Sequence, residues 1–300
     1  MKCKVCGEKA VIKLRQHNLA LCEEHFIERF RREVERTIKK YEMFDHGQPV
    51  LVAVSGGKDS LSLLHVLKSL DYKVTGLFID LGIEGMSKKA RAKVEELAAR
   101  LDVELVVVSL KDKYGESLPE IAKRRPQHRI CSLCGMIKRY LMNKTAYDLG
   151  IKVVATGHNL DDEVSSLLSN TLRWDVSYLA KQSPYLPSVH PKLAARAKPL
   201  AFLTEREIAA YAILSEIDFH RETCPFSRGA KTLFYKHLLN EIEVRSPGTK
   251  LRFYREFQSF RKRYLRDIDT GMPPLRECKI CGMPTSLEVC AFCRLFQRDN

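Results

Sequence analysis

Ten cysteines stand in the sequence in three groups, and two of the groups carry four closely paired metal-binding residues. In a cytosolic protein, such close pairs indicate metal sites rather than disulfides. Thiolate and imidazole groups at this spacing are the ligands of a closed tetrahedral zinc site, and modules this short need the metal to fold. We therefore predict a structural zinc ion near each end of the chain. The predicted ligands are Cys3, Cys6, Cys22 and His25 in one group, and Cys278, Cys281, Cys290 and Cys293 in the other.

The remaining cysteines, Cys131, Cys134 and Cys224, form a group of three without an evident fourth ligand. Three thiolates suit a [4Fe–4S] cluster in which one iron keeps a position for an outside ligand. A third zinc ion, a catalytic persulfide pair and unliganded thiols are the alternatives. Cys131, Cys134 and Lys138 follow at i, i+3 and i+7, so they lie on one face of a predicted helix. The Lys138 ammonium is therefore expected beside the thiolates, although a lysine is more often a plain surface residue.

A second chemical site is predicted where an apolar strand, Val50–Val54, runs into the loop Ser55–Ser60 and then into a helix. Glycines in such a loop let backbone N–H groups point at phosphate oxygens, and the helix N-terminus and a lysine add positive charge. The loop differs from the longer Walker loop, and its strand–loop–helix context argues against a chance glycine turn. Its predicted phosphate-binding residues are Ser55, Gly56, Gly57, Lys58, Asp59 and Ser60.

Another loop of this kind, Gly157–Glu163, also follows a predicted strand and begins a helix. Gly157 would allow a nucleotide to approach the backbone closely. Asp161 and Asp162 are paired carboxylates at the start of that helix, where proton transfer or Mg2+ binding is one interpretation. Simple helix capping is the other, because the helix dipole favours negative charge at this end.

The elements that position these residues alternate between strand and helix from Pro49 onward. Apolar, β-branched runs are typical of buried parallel strands. Their alternation with helices predicts an α/β fold with a doubly wound parallel sheet, which binds ligands at the carboxyl ends of its strands. The predicted strands are Val50–Val54, Val74–Ile79, Val103–Val108 and Val153–Thr156. The predicted helices are Asp59–Leu70, Ser87–Leu101, Cys131–Leu149 and Asp161–Arg173, followed by Thr204–Glu216, Ala230–Glu243 and Thr249–Arg266.

The charge of the chain favours a polyanionic partner. The formal net charge is +14, from 51 lysines and arginines against 37 aspartates and glutamates, and such an excess attracts nucleic acid. An amphipathic helix predicted over Glu24–Phe44 places many basic residues on its polar face. A basic protein without an RNA partner is the alternative. No apolar run is long enough to cross a bilayer or to act as a secretion signal, so we expect a cytoplasmic protein.

Together these motifs resemble those of one enzyme family. The loop Ser55–Ser60, with the sequence SGGKDS, matches the SGGxDS loop of the PP-loop ATP pyrophosphatases. With the C-x2-C pair followed by Lys138, the GHNLDDE segment, the distant Cys224 and a cysteine module at each end, the chain closely resembles the TtcA/TtuA superfamily of tRNA 2-thiolation enzymes. The terminal modules place it in the TtuA branch, close to the CTU-type wobble-uridine thiolases. The resemblance spans nearly the whole chain and implies a sheet of PP-loop ATP pyrophosphatase type.

The resemblance also implies a role for each matching residue. The SGGKDS loop would hold the pyrophosphate part of ATP, which binds with Mg2+, and the three middle cysteines would bind the [4Fe–4S] cluster. Lys138 and one of Asp161 or Asp162 would act in catalysis, and Asp162 is favoured for the chemistry. Backbone groups at the strand ends would border the nucleotide, namely those of Ala53, Ile79 and Gly157.

The implied reaction is the 2-thiolation of a uridine in tRNA. The uridine C2 oxygen attacks the α-phosphate of ATP, pyrophosphate leaves, and sulfur carried by the cluster then displaces AMP. The TtuA branch implies the T-loop uridine at tRNA position 54 and a ubiquitin-like, thiocarboxylated carrier protein as the sulfur donor. A homodimer is also expected. The implied organisation is a zinc module at 1–26, a basic linker helix at 27–48, a catalytic domain with the iron–sulfur site at 49–270, and a second zinc module at 271–300.

Three other functions are compatible with the sequence. The first is the same chemistry on the wobble uridine at tRNA position 34. The second is a PP-loop enzyme that adenylates a small metabolite, against which the basic charge and the two zinc modules argue. The third is a non-catalytic iron–sulfur sensor that binds RNA, which turnover of ATP would exclude.

Overall fold

A small hairpin and a long helix begin the chain in the computed structural model, which describes residues 1–222, 224–227, 231–265, 268 and 273–297. The hairpin pairs β1 (Ile12–Leu14) with β2 (Leu19–Leu21), and α1 (Glu23–Lys40) follows directly. The apolar stripe predicted for this helix is buried in the main core. The helix is therefore packed against the domain along its length, although its sequence resembles that of a linker. The stripe consists of Phe26, Phe30, Val34 and Ile38.

The helix α1 stops before its predicted end at Phe44, so the basic helix expected over 27–48 is shorter than predicted. Glu42 adopts a φ of +48°, a left-handed conformation that cannot continue an α-helix. Met43 and Phe44 then turn into the core, where they are 1% and 8% exposed. Met43 and Phe44 continue the apolar period of the helix in the sequence. In the structure they belong to the segment after the helix, which is buried in the core.

Six strands form the central sheet, and the prediction of a doubly wound parallel sheet is confirmed. Their order is β5-β4-β3-β6-β8-β7, in which every neighbouring pair is parallel except β7 with β8. The strands are β3 (Val50–Val54), β4 (Val74–Asp80), β5 (Leu105–Ser109), β6 (Val153–Thr156), β7 (Tyr185–Leu186) and β8 (Ala195–Ala197). Because β4 and β6 flank β3, the sheet has its switch point at the carboxyl end of β3, where ligands bind in such folds.

Two strands were not predicted, and the bounds of β4 and β5 differ from the predictions by one or two residues. The strands β7 and β8 have only two and three residues, which is too few for a recognisable hydrophobic pattern. The strand predicted from Val103 begins at Leu105. Asp102 has a φ of +49°, so the chain is still turning there.

Helices cover both faces of the sheet. One face is covered by α1, α2 (Lys58–Ser69), α3 (Ser87–Arg100) and α9 (Glu205–Leu214). The other face is covered by α4 (Leu110–Tyr114), α5 (Leu118–Arg124) and α6 (Ile130–Asp148). The helix α7 (Leu160–Thr171) follows β6, and the short α8 (Val176–Ala180) follows α7. The helices predicted in this part of the chain are confirmed, with ends that move by one or two residues.

Two long helices, α10 (Lys231–Arg245) and α11 (Thr249–Tyr264), pack against α7 around a third apolar cluster. Both match predicted helices, whose outer ends at Ala230 and Arg266 lie outside the described residues. None of the helices in the described part of the chain is both long and apolar enough to span a membrane.

The C-terminal module contains β9 (Arg276–Glu277), β10 (Pro284–Thr285) and α12 (Ala291–Phe296). It docks on α6 through aromatic rings. Phe292 stacks on Tyr140 with ring centroids 3.7 Å apart, and Tyr114 meets Phe292 edge-on at 4.8 Å. The expected domain boundary between residues 270 and 271 falls on residues outside the described ones.

Candidate active site and metal sites

A cleft of about 380 Å³ opens at the carboxyl ends of β3, β4 and β6. Its size is that of a small-molecule site. One wall is apolar and includes Leu77, Leu81, Ile83 and Met86. Most of the predicted nucleotide-binding and catalytic residues line the cleft, namely Ala53, Ser55, Gly57, Asp59, Ser60, Ile79, Lys138, Gly157 and Asp162. The remaining predicted residues, Gly56, Lys58 and Asp161, lie beside it.

The loop after β3 is held open by its own hydrogen bonds. The Ser55 N–H donates to Ser60 Oγ at 3.0 Å, and the Ser60 hydroxyl donates to the Gly57 carbonyl at 3.0 Å. Gly56 has a φ of +82°, and a Cβ at this position would lie 2.7 Å from the Ala90 carbonyl oxygen. Only glycine fits this position, because both the conformation and the space exclude a side chain.

Gly157 brings the end of β6 against the start of α2. A Cβ on Gly157 would lie 2.8 Å from the Ser60 nitrogen and 2.9 Å from the Asp59 carbonyl carbon. The two loops therefore form one cradle, in which the N-terminus of α2 points into the cleft beside the apolar wall. An apolar wall for a base and a helix N-terminus for phosphates fit a nucleotide.

Two lysines and three carboxylates form an ion-pair network beside the loop. Lys58 Nζ lies 2.6 Å from Glu205 Oε1 and 3.2 Å from Asp59 Oδ2. Lys236 Nζ lies 2.6 Å from Asp162 Oδ1 and 3.6 Å from Glu205 Oε2. Burial opposes the charge on Lys58, but the Asp59 and Glu205 carboxylates outweigh it and raise the pKa of Lys58. Burial also opposes the charge on Lys236, and Asp162 outweighs it, so the pKa of Lys236 rises as well.

The carboxylates of this network crowd one another. Burial raises the pKa of Asp59, the charges of Asp162 and Glu205 add to this effect, and Lys58 opposes it. The Asn159 side-chain amide donates to Asp59 Oδ1 at 3.2 Å. Carboxylate oxygens are the ligands that Mg2+ prefers, so the donor set fits a magnesium ion bound together with phosphate.

The paired aspartates lie in different surroundings. Asp161 is 4% exposed. Its Oδ1 accepts from Lys250 Nζ at 2.5 Å, and its Oδ2 accepts from the Glu205 N–H at 2.8 Å. Asp162 lines the cleft and caps α7, because its Oδ2 accepts from the Asn159 N–H at 3.2 Å. Of the two carboxylates, only that of Asp162 faces the space that a substrate would occupy.

Lys138 and His158 are further polar residues of the cleft. Lys138 lies on α6, one turn before Met142, which also lines the cleft. His158 Nδ1 lies 2.8 Å from Thr156 Oγ1. Desolvation by the surrounding protein lowers the pKa of His158, so its imidazole is neutral near pH 7.

The three middle cysteines meet at the start of α6. Cys131 and Cys134 lie in its first two turns, and the Cys131 thiol donates to the Phe226 carbonyl at 3.3 Å in the segment that begins with Cys224. Burial raises the pKa of Cys134, while the Lys138 ammonium lowers it. Lys138 is therefore close enough to stabilise the Cys134 thiolate, as its spacing predicted.

The terminal cysteine groups are assembled as predicted. Among the residues that the structure describes, these are the two groups whose four ligand atoms all lie within 4.8 Å of one another. Cys6 Sγ and Cys22 Sγ are 3.7 Å apart, and Cys281 Sγ and Cys290 Sγ are 3.8 Å apart. Zinc–sulfur bonds of about 2.3 Å at tetrahedral angles separate two thiolates by about 3.8 Å. Both groups therefore have the dimensions of a zinc site, and His25 faces its group with Nδ1, 3.0 Å from Cys22 Sγ.

Each terminal group has one thiol that ionises readily. Burial would raise the pKa of Cys3, but backbone hydrogen bonds outweigh it and lower that pKa to about 6. The same balance lowers the pKa of Cys278 to about 6. Burial raises the pKa of Cys293, and the neighbouring Cys290 adds to this. The complete sets thus need the positive charge of a metal ion to hold all their thiolates.

Two residues of the ion-pair network, Glu205 and Lys236, were not predicted as part of the site. Glu205 begins α9 and Lys236 lies in the second turn of α10, each far in sequence from the motifs that they contact. Both reach the site because α9 and α10 pack beside α2 and α7, and this packing leaves no trace in local spacing. A carboxylate directly after the helix-capping Thr204 is a weak sign at most, because such residues usually serve the helix dipole alone.

Two family models match the chain. The N-terminal LIM domain of the 2-thiouridine synthetase TtuA matches residues 2–27, and the PP-loop domain matches residues 27–224. The second model covers the strands of the central sheet, the two loops and the middle cysteines described above.

Similar proteins extend over nearly the whole chain. The tRNA-5-methyluridine(54) 2-sulfurtransferase of Thermotoga maritima is 48% identical over 98% of this chain and 96% of its own length. The protein of the same name from Pyrococcus horikoshii is 45% identical over 99% of this chain and 94% of its own length. Among solved structures, the U34-tRNA thiolase NcsA from Methanococcus maripaludis with its [4Fe-4S] cluster is 28% identical, with a TM-score of 0.83 over 98% of this chain and 95% of that chain.

Proposed function

Because the chain belongs to the PP-loop family of tRNA 2-thiolation enzymes, we propose that it uses ATP to replace the C2 oxygen of a tRNA uridine with sulfur. The target is the T-loop uridine at position 54, for which relatives 48% and 45% identical over almost their whole length are named. The observation that supports the chemistry is one cleft that joins a PP-loop cradle to Lys138 and Asp162. The helix that carries Lys138 also carries Cys131 and Cys134, and Cys224 lies near enough to act on Cys134 through its charge.

In the first step the uridine C2 oxygen attacks the α-phosphorus of ATP, and the bond to pyrophosphate breaks. The N–H groups at the start of α2 and the Lys58 ammonium are assigned to the departing phosphates. Lys58 is held by Glu205 at 2.6 Å, so ATP binding exchanges a carboxylate partner for a phosphate partner. Adenylation makes the oxygen a good leaving group.

Asp162 is the carboxylate that we assign to proton transfer at the uridine, because it faces the cleft and is half-buried. Adenylation makes the base N3 proton acidic, and an acceptor within the site removes it. Lys236 holds Asp162 Oδ1 at 2.6 Å, so Lys236 is assigned as the residue that positions this base. Asp161, which Lys250 neutralises inside the protein, is assigned to the folding of α7 and α9.

In the second step a sulfur nucleophile at the sulfide level forms a bond to C2 as the bond from C2 to the adenylated oxygen breaks. AMP leaves, and the proton returns to N3. Cys131, Cys134 and Cys224 are assigned as the ligands of a [4Fe–4S] cluster, which when bound supplies an iron position for the incoming sulfur. Their donor set fits, because they are three soft thiolates and the charges of Cys224 and Cys131 reach Cys134. Lys138 favours the ionised thiol of Cys134 in this site.

The remaining assignments concern bound metals and partners. Zinc ions are proposed for both terminal groups on the basis of their thiolate distances, and Mg2+ on the basis of the carboxylates beside the loop. The resemblance to the TtuA branch supports a ubiquitin-like, thiocarboxylated sulfur carrier. A cytoplasmic location is proposed from the tRNA substrate.

Modification of the wobble uridine is the second candidate function. It is favoured by the likeness to the U34-tRNA thiolase, which has a TM-score of 0.83. The lower identity of that protein, 28% against 48% and 45%, ranks it behind position 54.

The proposal is tested by anaerobic assay of the metal-loaded protein with tRNA, ATP and inorganic sulfide. Nucleoside mass spectrometry on mapped tRNA fragments should find 2-thiouridine at position 54. Asp162→Asn should lower the rate by about 100-fold or more, the usual contribution of a general base, without a large change in stability.

The matched control is Asp161→Asn. It leaves Lys250 buried without its anionic partner and should destabilise the protein by about 3–5 kcal/mol. Sulfur at position 34 would establish the second candidate instead. Release of AMP without any thiolated tRNA would exclude both.

A further inference from the structure

A basic pocket lies between α1 and α11, on a different part of the surface from the cleft. Its volume is about 350 Å³, and it is lined by Arg36, Thr37, Lys40, Phe202 and Arg255. Three cations from two helices thus face one concavity, and Phe202 forms its apolar side. The Lys40 ammonium lies over the Phe202 ring, 5.8 Å from its centroid.

The positive charge of this pocket is only partly neutralised. Arg36 forms an ion pair with Glu33. Within the described part of the chain, no ion pair joins Lys40 or Arg255 to a carboxylate. Nearby Arg29 is buried and pairs with Glu207 at 3.4 Å. The pocket therefore keeps an excess of positive charge in a concave place, where the field on an approaching anion is strongest.

The neighbouring histidine responds to this charge. Desolvation lowers the pKa of His17 to about 4, and the charges of Arg29, Arg255 and Arg36 contribute to the shift. His17 belongs to the turn after β1, and Arg15 and Gln16 of the same turn line a second polar pocket, of about 360 Å³. This turn of the N-terminal module lies between the two pockets.

The second pocket lies between this turn and the PP-loop. It is also lined by Arg206 and by Glu205, which pairs with Lys58 of the PP-loop. Its buried carboxylate, Asp161, already binds Lys250. Phe202 lines the basic pocket and Glu205 lines the second pocket. The two residues are three positions apart, so at most about 10 Å of extended chain separates them. The second pocket has three cations, Arg15, Arg206 and Lys250, and three carboxylates, Asp161, Glu205 and Glu243. The excess of positive charge therefore lies in the basic pocket.

We infer that the pocket of Arg36, Lys40 and Arg255 binds backbone phosphates of the tRNA and holds the strand that enters the cleft. This inference rests on the proposed function. Guanidinium groups bind phosphate oxygens in pairs, and lysine adds a point charge. A polyanion suits the site better than a single anion, because its three cations stand on two helices around a surface concavity rather than in one closed cage.

The test removes the three cations together, as Arg36→Ala, Lys40→Ala and Arg255→Ala in one chain. The tRNA dissociation constant of the full-length, metal-loaded protein should rise about 10- to 100-fold at moderate salt, because three phosphate contacts are lost. The slope of log affinity against log salt should decrease by about two to three, near one for each lost contact. ATP binding in the absence of tRNA should stay within about twofold, because the PP-loop keeps its contacts.

The matched control removes the same charge away from α1, as Lys113→Ala, Lys123→Ala and Lys152→Ala. Lys113 and Lys123 lie on α4 and α5, which cover the other face of the sheet, and Lys152 precedes β6. This variant should change the tRNA dissociation constant less than about threefold, because only the long-range field is reduced.

Several results would overturn the inference. Wild-type affinity and salt slope in the pocket variant would do so, as would an equal loss in the control variant. Loss of ATP binding in the pocket variant would instead assign the pocket to the nucleotide. Failure of the wild-type protein to thiolate tRNA would contradict the proposed function itself. Normal wild-type thiolation with an unaffected pocket variant would contradict this inference alone.

Discussion

The two terminal modules have similar sets of four ligands, three cysteines and a histidine in one and four cysteines in the other, but they pack on different functional elements. In the N-terminal module, Cys22 is the residue that caps α1 and His25 lies in its first turn. That helix stacks Phe30 on Tyr211 of α9, with ring centroids 3.9 Å apart, and carries the basic pocket further along. The N-terminal ligands therefore form the beginning of the helix that we assign to tRNA.

The C-terminal module instead packs against α6 and contributes no residue to that helix. Phe292 stacks on Tyr140, and burial together with the neighbouring Cys281 raises the pKa of the Tyr140 hydroxyl. Arg124 of α5 donates to the Leu295 carbonyl of α12 at 2.6 Å. Because α6 also carries Cys131, Cys134 and Lys138, this module supports the helix that we assign to sulfur transfer. The role of each metal module therefore depends on the helix on which it packs.

The largest effect should follow from removing the C-terminal metal ion with Cys293→Ser. The loss of a ligand should unfold the module, since the metal provides its folding free energy. The face of α6 that the module covers should then become exposed, and the helix should no longer hold the middle cysteines in position. We expect sulfur transfer to fall by at least about 100-fold and iron content to fall with it, whereas ATP affinity changes little because the PP-loop lies on β3 and α2.

Iron and zinc analysis, nucleoside mass spectrometry and ATP titration check this prediction. Phe292→Leu is the control, because it keeps an apolar side chain and all the metal ligands while it removes the ring stack. Phe292→Leu should lose clearly less sulfur-transfer activity than Cys293→Ser. Full iron content and normal sulfur transfer in a zinc-free Cys293→Ser module would show that α6 does not depend on it.

A smaller and different effect is expected from Cys22→Ser at the other end. It should fray the start of α1, which has no side-chain hydrogen bond as a cap, and disturb the turn at Arg15. The dissociation constant for tRNA should rise about 10-fold, a loss of one or two phosphate contacts. Iron content and ATP affinity should remain normal. Loss of iron in this variant would break the division of roles between the modules.

The features that the sequence predicts correctly have local patterns. The PP-loop SGGKDS, the cysteine pairs and the long buried strands each lie within a few residues, so their chemistry and geometry can be inferred from spacing. The placement of Lys138 beside Cys134 follows from helical period for the same reason.

The features that could not be predicted depend on contacts between distant elements. Lys236 reaches Asp162 only because α10 packs on α7, and Phe292 reaches Tyr140 only because a separate module docks there. The neighbouring residues Asp161 and Asp162 differ in burial although they have the same side chain. Helical geometry points them about 100° apart, and the packing of α9 and α11 decides which of them is buried.

The smallest predicted effect concerns α5, which contacts the C-terminal module through Arg124. The helix α5 begins with a capping box, in which the Ser117 N–H donates to Glu120 Oε2 at 2.6 Å and Ser117 Oγ accepts from the Glu120 N–H at 3.4 Å. By contrast, α1 begins at a metal ligand without such a cap. Ser117→Ala should therefore destabilise α5 by about 1 kcal/mol, the usual value of a cap, and hydrogen exchange of its amides should become several-fold faster.

The pH dependence of hydrogen-exchange protection in α5 gives a second test of this prediction. Hydrogen bonds from the Ser117 side chain and backbone lower the pKa of Glu120 from 4.5 to about 2. A lowered carboxyl pKa gives stability that is complete above the unfolded value and is lost as the pH falls towards the folded value. Protection of α5 should thus decrease between about pH 4.5 and pH 2 in the native protein. Glu120→Gln keeps a residue that can complete the box but cannot titrate, so its protection should be flatter over this range. Equal pH profiles for the native and Glu120→Gln proteins would show that ionisation of Glu120 does not stabilise α5.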